Sequence, residues 1–314
     1  MMEIIPKKEE IMKISEYENY HEKINRHDPS FPYQTYPCSI PQDFEQVPLH
    51  WHEEMEMIYI KKGQGIIMVD FARLVGNAGD IFFLCPGQLH GIMRRGKERM
   101  EYENIIFPLS ILGNPQTDEL WESYIAPVER RQKKLCTCLS RNMEGYAAIS
   151  ACIDRIDEIR SSFPPGYPLM IKGKLFELFF FLYHYGLAAD HGPADNMGRR
   201  SRERSLEKSR QILTFVETHY QEHISIEALA MEIGFSASHF MKFFKQTFGL
   251  PFTAYLNSYR LTMASRLLLA SEDSILTVAL ESGFENLSYF NRRFKEKFGI
   301  TPREFRERNG SSPV

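Results

Sequence analysis

The stretch "GFSASHFMKFFKQTFG", Gly234 to Gly249, returns about fifty residues later as "GFENLSYFNRRFKEKFG", Gly283 to Gly299. The copies align at an offset of 49 for Gly234/Gly283 and Phe235/Phe284, and of 50 from Phe240/Phe290 onward, so one extra residue lies in the second turn. Each copy reads short helix, Gly-Phe turn, second helix, Phe-Gly, which is helix-turn-helix grammar with glycine at the bend. Phe240, Phe244 and Phe248 recur at i, i+4 and i+8, as do Phe290, Phe294 and Phe298. Residues at that spacing share one helix face, and a face of phenylalanines must be buried.

The opposite faces carry Ser238, His239, Met241, Lys242 and Lys245 in the first copy, and Ser288, Asn291, Arg292, Lys295 and Lys297 in the second. A basic face on one helix is usually just solvated. Here the charges are also sorted: Ala237 to Phe248 holds two lysines and no acid, while Glu227, Glu232, Glu281 and Glu285 lie on or beside the preceding helices. A helix that enters a DNA groove needs that separation, because an acid set against phosphates is repelled. Arginine suits guanine, asparagine suits adenine, and methionine suits a thymine methyl. The whole chain gives no such hint, with 38 Lys+Arg against 41 Asp+Glu and pI about 6.4. From Leu206 onward there are 13 basic and 12 acidic residues, against 25 and 29 before it, so any basic surface is clustered.

A length of 314 residues suits two domains, and 43% hydrophobic with 25% charged residues suits a soluble globular chain. The segment from Leu49 to about Phe107 alternates as strands do. "EMEMIYIKKGQGIIMVDF" reads strand, Gly63-Gln64-Gly65 turn, strand; "AGDIFFLCPGQLHGI" and "YENIIFPL" supply further strands. Short strands in close succession point to a small barrel or sandwich. From Asp118 to Leu187 the pattern is helical, with Ile149, Ile153, Ile156 and Ile159 on one stripe that needs cover, within the chain or from a second copy. Residues 188–205 are polar and aperiodic and read as a linker. Helices are then expected near 206–220, 225–233, 237–247, 252–270, 274–282, 287–297 and 302–308, with Ser225 and Ser274 as N-caps and Pro302 in a first turn. The five cysteines form no disulfide framework and read as reduced thiols; Cys136-Thr-Cys138 has no second cysteine pair to complete a metal site. "MMEIIPKKEEIMKIS" lacks the apolar core of a signal peptide, and "LFELFFFLYHYGLAA" is too short and too polar to cross a membrane. A cytoplasmic protein is expected.

"LHWHEEMEMIYIKKGQG" carries the second chemical signal. His50, His52 and Glu56 have one parity, which on a strand is one face, and "GDIFFLCPGQLH" adds His90. Three imidazoles and a carboxylate suit a divalent ion such as Zn, Fe, Ni or Mn. The same four residues equally suit a pocket for a small effector, or hydrogen bonding inside a barrel.

Residues 206–308 resemble the DNA-binding domain of the AraC family of bacterial transcription regulators. The resemblance rests on "IEALAMEIGFSASHFMKFFKQTFGLPFTAYLNSYRLTMASRLL" and "ILTVALESGFENLSYFNRRFKEKFGITPREFR". The histidine segment is similar to the cupin signature, with Cys85 in place of its first proline and Arg94 where it has asparagine. The fold class implied is an N-terminal all-β cupin-like barrel followed by helices, then an all-α double helix-turn-helix domain. The domains would be 1–187 (barrel about 30–108, helices about 118–187), a linker over 188–205 and a DNA-binding domain over 206–308. By the family pattern Ser238, Met241 and Lys242 read bases in the first unit and Ser288, Asn291 and Arg292 in the second, with Lys245 and Lys295 on phosphates. The resemblance further implies double-stranded DNA and a small-molecule effector (a sugar or related metabolite), a homodimer, RNA polymerase as a partner and an activator without catalytic residues. The competing class is a metal-dependent cupin enzyme fused to a DNA-binding tail, or a metal-sensing regulator.

Overall fold

The computed structural model describes residues 31–43, 46–113, 118–190 and 196–309, in two compact units that meet in sequence between Arg200 and Ser201. The expectation for the first fifteen residues lies outside the described residues. Among the described residues no helix is long and apolar enough to cross a membrane.

The first unit is built on antiparallel strands: β1 (Gln34–Ile40), β2 (Gln46–His50), β3 (Met55–Val69), β4 (Ala72–Asn77), β5 (Ile81–Leu84), β6 (His90–Arg94), β7 (Met100–Phe107), β8 (Lys133–Leu135), β9 (Cys138–Leu139) and β10 (Ala188–Asp190). One layer runs β1-β7-β3-β5-β9, and β2, β6, β4 and the second half of β3 form the other. β3 belongs to both, so the turn expected at Gly63-Gln64-Gly65 does not form. Gly63 has φ +72°, the register against β7 shifts between Ile60 and Lys62, and a Cβ on Gly63 would stand 1.9 Å from the Arg99 carbonyl oxygen. The bulge at Lys61 and the left-handed Gly63 together bend one long strand from layer to layer instead of reversing it.

Residues of odd number on β3, β5 and β7 (Met55, Met57, Ile81, Phe83, Ile105, Phe107) pack outward on helices. They meet Ile149, Ile153, Ile156 and Ile159 of α2 (Tyr146–Ser162) and Ile171, Leu175, Leu178 and Leu182 of α3 (Tyr167–His184); a short α1 (Ala126–Glu129) lies before β8. The isoleucine stripe is thus covered within its own chain. Burying each such side chain contributes about 1.5–3 kcal/mol. α3 keeps Leu169, Met170 and Phe180 exposed.

The second unit is helical: α4 (Asn196–His219), α5 (Ile226–Glu232), α6 (Ala237–Phe248), α7 (Phe252–Ala270), α8 (Ile275–Glu281), α9 (Leu287–Phe298) and α10 (Pro302–Asn309). The linker expected over 188–205 is corrected at both ends. Ala188–Asp190 pair with Lys133–Leu135 as strands, and α4 begins at Asn196. Arginine and glutamate are good helix formers, so a charged run without apolar periodicity can still extend the amphipathic helix behind it. Ser225 and Ser274 cap α5 and α8, accepting from Ala228 N at 3.2 Å and Thr277 N at 3.0 Å.

Candidate DNA interface and barrel site

The repeat produces two helices of the same build. Ser236 Oγ accepts from His239 N at 3.2 Å to start α6, and Asn286 Oδ1 accepts from Tyr289 N at 2.8 Å to start α9. Both caps were missed in the sequence, although Ser and Asn just before a periodic run are the usual signal. Gly249 and Gly299 end the helices at φ +78° and +76°, where a side chain would be strained. Phe240, Phe244, Phe290 and Phe294 are fully buried. Phe244 packs on Phe252 and Tyr255 of α7, and Phe294 on Phe305 of α10.

All eight expected DNA contacts lie on the opposite faces, with matching exposure. Ser238, Lys242 and Lys245 are exposed and Met241 half-buried; Ser288, Arg292 and Lys295 are exposed and Asn291 half-buried. Lys297 does not join them. Its Nζ donates to Thr262 Oγ1 at 2.6 Å and to Ser258 O at 3.1 Å, so it fastens α9 to α7. One acid lies within α9 itself: Glu296 pairs with Arg293 at 2.6 Å and lies 4.0 Å from Arg292 Nε. Such exposed pairs contribute under about 1 kcal/mol and yield readily to a phosphate or base. Tyr289 is exposed at the position equivalent to His239, accepts from Asn257 Nδ2 at 3.1 Å, and lies 5.5 Å beneath the Arg292 guanidinium.

Arg260 ties α7 to the segment after α4. Its Nε donates to Tyr220 O at 2.7 Å and its Nη2 to Glu222 O at 2.6 Å. Gly283 packs against this joint: at φ +83°, a Cβ there would come within 2.4 Å of Tyr220 O.

In the first unit His50 ends β2, Glu56 lies in β3 and His90 starts β6. His52 falls in the loop after β2, not on a strand as its parity suggested, yet all four donor atoms gather within 4.8 Å of one another. Glu56 Oε2 is 2.7 Å from His52 Nε2 and 3.0 Å from His90 Nε2. Burial alone would push the Glu56 carboxyl up, but the His90 charge and the hydrogen bonds from His52 and His90 outweigh it and hold the group well below the usual carboxylate range. Burial likewise lowers His90, and the Glu56 carboxylate reverses that to raise it.

The donor set fits a divalent ion. His50 Nδ1 faces Pro48 O at 2.9 Å and His90 Nδ1 faces Gln88 O at 2.8 Å. A carbonyl oxygen only accepts, so each Nδ1 carries its proton; in the ion-free protein His90 Nε2 also donates to Glu56, and a bound cation would take the place of that proton. Metal-bound histidines are oriented by this kind of outer contact.

Residues 40–179 match the family described as AraC-like ligand binding domain, and residues 229–308 match a helix-turn-helix domain. The chain is 23% identical over 296 residues to the HTH-type transcriptional regulator YdeC of Bacillus subtilis (strain 168), covering 93% of this chain and 97% of that one. It is 23% identical over 266 residues to the HTH-type transcriptional regulator ExsA of Pseudomonas aeruginosa, covering 82% and 91%. Among solved structures, the C-terminal domain of the two-component response regulator yesN from Fusobacterium nucleatum shares 31% identity over 32% of this chain and 98% of that one, at a TM-score of 0.31. With a ligand-binding unit followed by paired helix-turn-helix elements, the chain belongs to the AraC family of transcription regulators.

Proposed function

We propose that α6 and α9 enter successive major grooves of operator DNA, and that the cluster of His50, His52, Glu56 and His90 is where the regulating signal enters. The matching exposure of the two helices supports the first part most strongly: eight candidate contacts share one design on two caps, two buried phenylalanine faces and two glycine ends. Lys242 and Arg292 occupy equivalent exposed positions, as do Lys245 and Lys295, so each unit offers one cation for a base edge and one for a phosphate.

In the barrel, His50, His52 and His90 would hold a divalent ion through imidazole nitrogens and Glu56 through its carboxylate. The ion would supply a positive anchor for an oxygen of the effector. His52 and Glu56 lie at the chain crossing from β2 to β3, so filling the site draws the two layers together. A ligand shifts the regulator between states only by binding them unequally. No catalytic step is assigned to the barrel. The regulator acts in the cytoplasm, as an activator that meets RNA polymerase at the promoter. It works as a homodimer joined through α3, where Leu169 (77% exposed) and Phe180 (58% exposed) sit eleven residues apart on one face.

Two measurements test this. Selection from a random DNA pool with the full chain should recover two short motifs about 10 base pairs apart; a pool that stays random refutes the reading. Elemental analysis should find about one divalent ion per chain, lost in His52→Ala; equal content in both proteins removes the ion from the barrel.

A further inference from the structure

The strand register places two amides, three of whose polar atoms find no hydrogen-bond partner among the described residues. Across the layer β1-β7-β3-β5, one row reads Gln34, Ile106, Glu56, Leu84, and the next reads Tyr36, Asn104, Ile58, Phe82. Residues directly opposed in antiparallel strands point to one face. Gln34 and Asn104 therefore share the face of Glu56, and Glu56 reaches His90 on the other layer, so this face is the barrel interior. The other members of the two rows, apart from Tyr36, are the apolar Ile58, Phe82, Leu84 and Ile106, all buried.

Asn104 is 0% exposed and Gln34 7%. Among the described residues, Asn104 Oδ1, Asn104 Nδ2 and Gln34 Nε2 are buried without a hydrogen-bond partner, while Gln34 Oε1 accepts from the Tyr36 hydroxyl. A buried amide atom without a partner destabilises a fold, and a leucine of similar size would not. Three such atoms on one inner face are best explained by something that binds there. Asn104 lies diagonal to Glu56 across the β3–β7 ladder, a separation of about 7–8 Å. Gln34 is two strands from Glu56, about 9.5–10 Å at the usual strand spacing.

We infer that Asn104 and Gln34 read the far end of a small hydroxylated monocarboxylate whose acid group is held at the His50, His52, Glu56 and His90 cluster. The anionic end rests on the ion proposed above: three neutral imidazoles and one carboxylate leave a divalent cation one positive charge, which a monocarboxylate neutralises. The far end rests on the amides alone. They are uncharged and offer donors from both residues and an acceptor from Asn104, the complement of hydroxyl groups. Both amides are covered by protein atoms, so the ligand reaches them only by displacing the side chains above them. That displacement is the change of state the ligand reports.

The test uses the full chain, with divalent metal content measured on every sample. Acetate, glycolate, D-glycerate and D-gluconate are titrated by calorimetry into the wild-type chain, Asn104→Leu and Gln34→Leu. At least one of the two longer acids should bind ten-fold or more tighter than acetate. Each substitution should erase that gain while leaving acetate binding and metal content unchanged. Asn104→Leu should also raise the Tm of the ligand-free chain, because it removes unpartnered polar atoms. Metal-loaded protein that binds all four acids equally, or none, overturns the inference. So does a fall in Tm for Asn104→Leu, which would make the amide a structural group. Protein without metal refutes the ion and with it the anionic class, a result read from the metal analysis alone.

Discussion

Arg292 and Lys297 lie five residues apart on α9, carry the same charge, and should behave oppositely when replaced by alanine. Arg292 is exposed, and its contacts are a 4.0 Å approach to Glu296 and the ring of Tyr289. Removing it should change folding stability by less than about 1 kcal/mol. If it reads a base, its loss weakens specific binding by about 1–3 kcal/mol, a Kd increase of roughly 5- to 150-fold. Lys297 is held by Thr262 Oγ1, Ser258 O and Ser258 Oγ at 2.6, 3.1 and 3.3 Å. Its loss should cost about 1.5–3 kcal/mol of stability, the range for a hydrogen-bonded charge. It should leave the ratio of specific to non-specific DNA affinity alone. Urea melts and fluorescence anisotropy at one fixed salt concentration separate the two outcomes. Wild-type discrimination between the selected site and random DNA in Arg292→Ala would refute the base-reading role. Lost discrimination in Lys297→Ala with a wild-type melt would refute the fastening role.

Three further outcomes are expected. Burial and then the neighbouring Glu103 carboxylate push Asp157 up to about 7, against the partial relief of Lys61. A carboxyl raised on folding gives stability that is full below its ordinary range near 4 and lost as pH rises through about 7; urea melts should show Asp157→Asn flattening the loss between pH 5 and 8, and an unchanged slope would refute this. Phe180→Glu should convert a dimer to a monomer in sedimentation at micromolar concentration while circular dichroism shows the chain still folded, because the side chain is exposed within its own chain; a dimer that persists would move the interface off α3. Asn286→Ala should cost about 1 kcal/mol in a urea melt by removing the cap on Tyr289 N, and a loss below about 0.3 kcal/mol would show α9 to be held by packing alone.

What the sequence disclosed depended on whether a feature is local. The phenylalanines at i, i+4 and i+8 are local, so both helices and their exposed faces were readable before any coordinates. The cluster of His50, His52, Glu56 and His90 was readable from spacing and chemistry, even though His52 reaches it from a loop. The amides were not. That Asn104 and Gln34 share a face with Glu56 depends on the β1-β7-β3 register, which pairs residues about seventy positions apart across β1–β7 and about fifty across β7–β3, and leaves no mark on any single segment. Lys297 looked like its neighbours because its partners, Ser258 and Thr262, sit on another helix. Gly63 looked like a turn because a bulge and a turn ask the same positive φ of the chain. The helical residues 201–205 looked like part of a linker because they are largely exposed and leave no apolar periodicity to read.

Hydroxyl-radical footprinting of the full chain on its selected DNA site tests most directly the claim that one chain reads DNA with two equivalent helices. The expected result is protection in pairs of patches on one face of the duplex, centred about 10 base pairs apart. Lys242→Ala should weaken one patch of each pair and Arg292→Ala the other. A single patch per chain, or two patches that both survive either substitution, would contradict it.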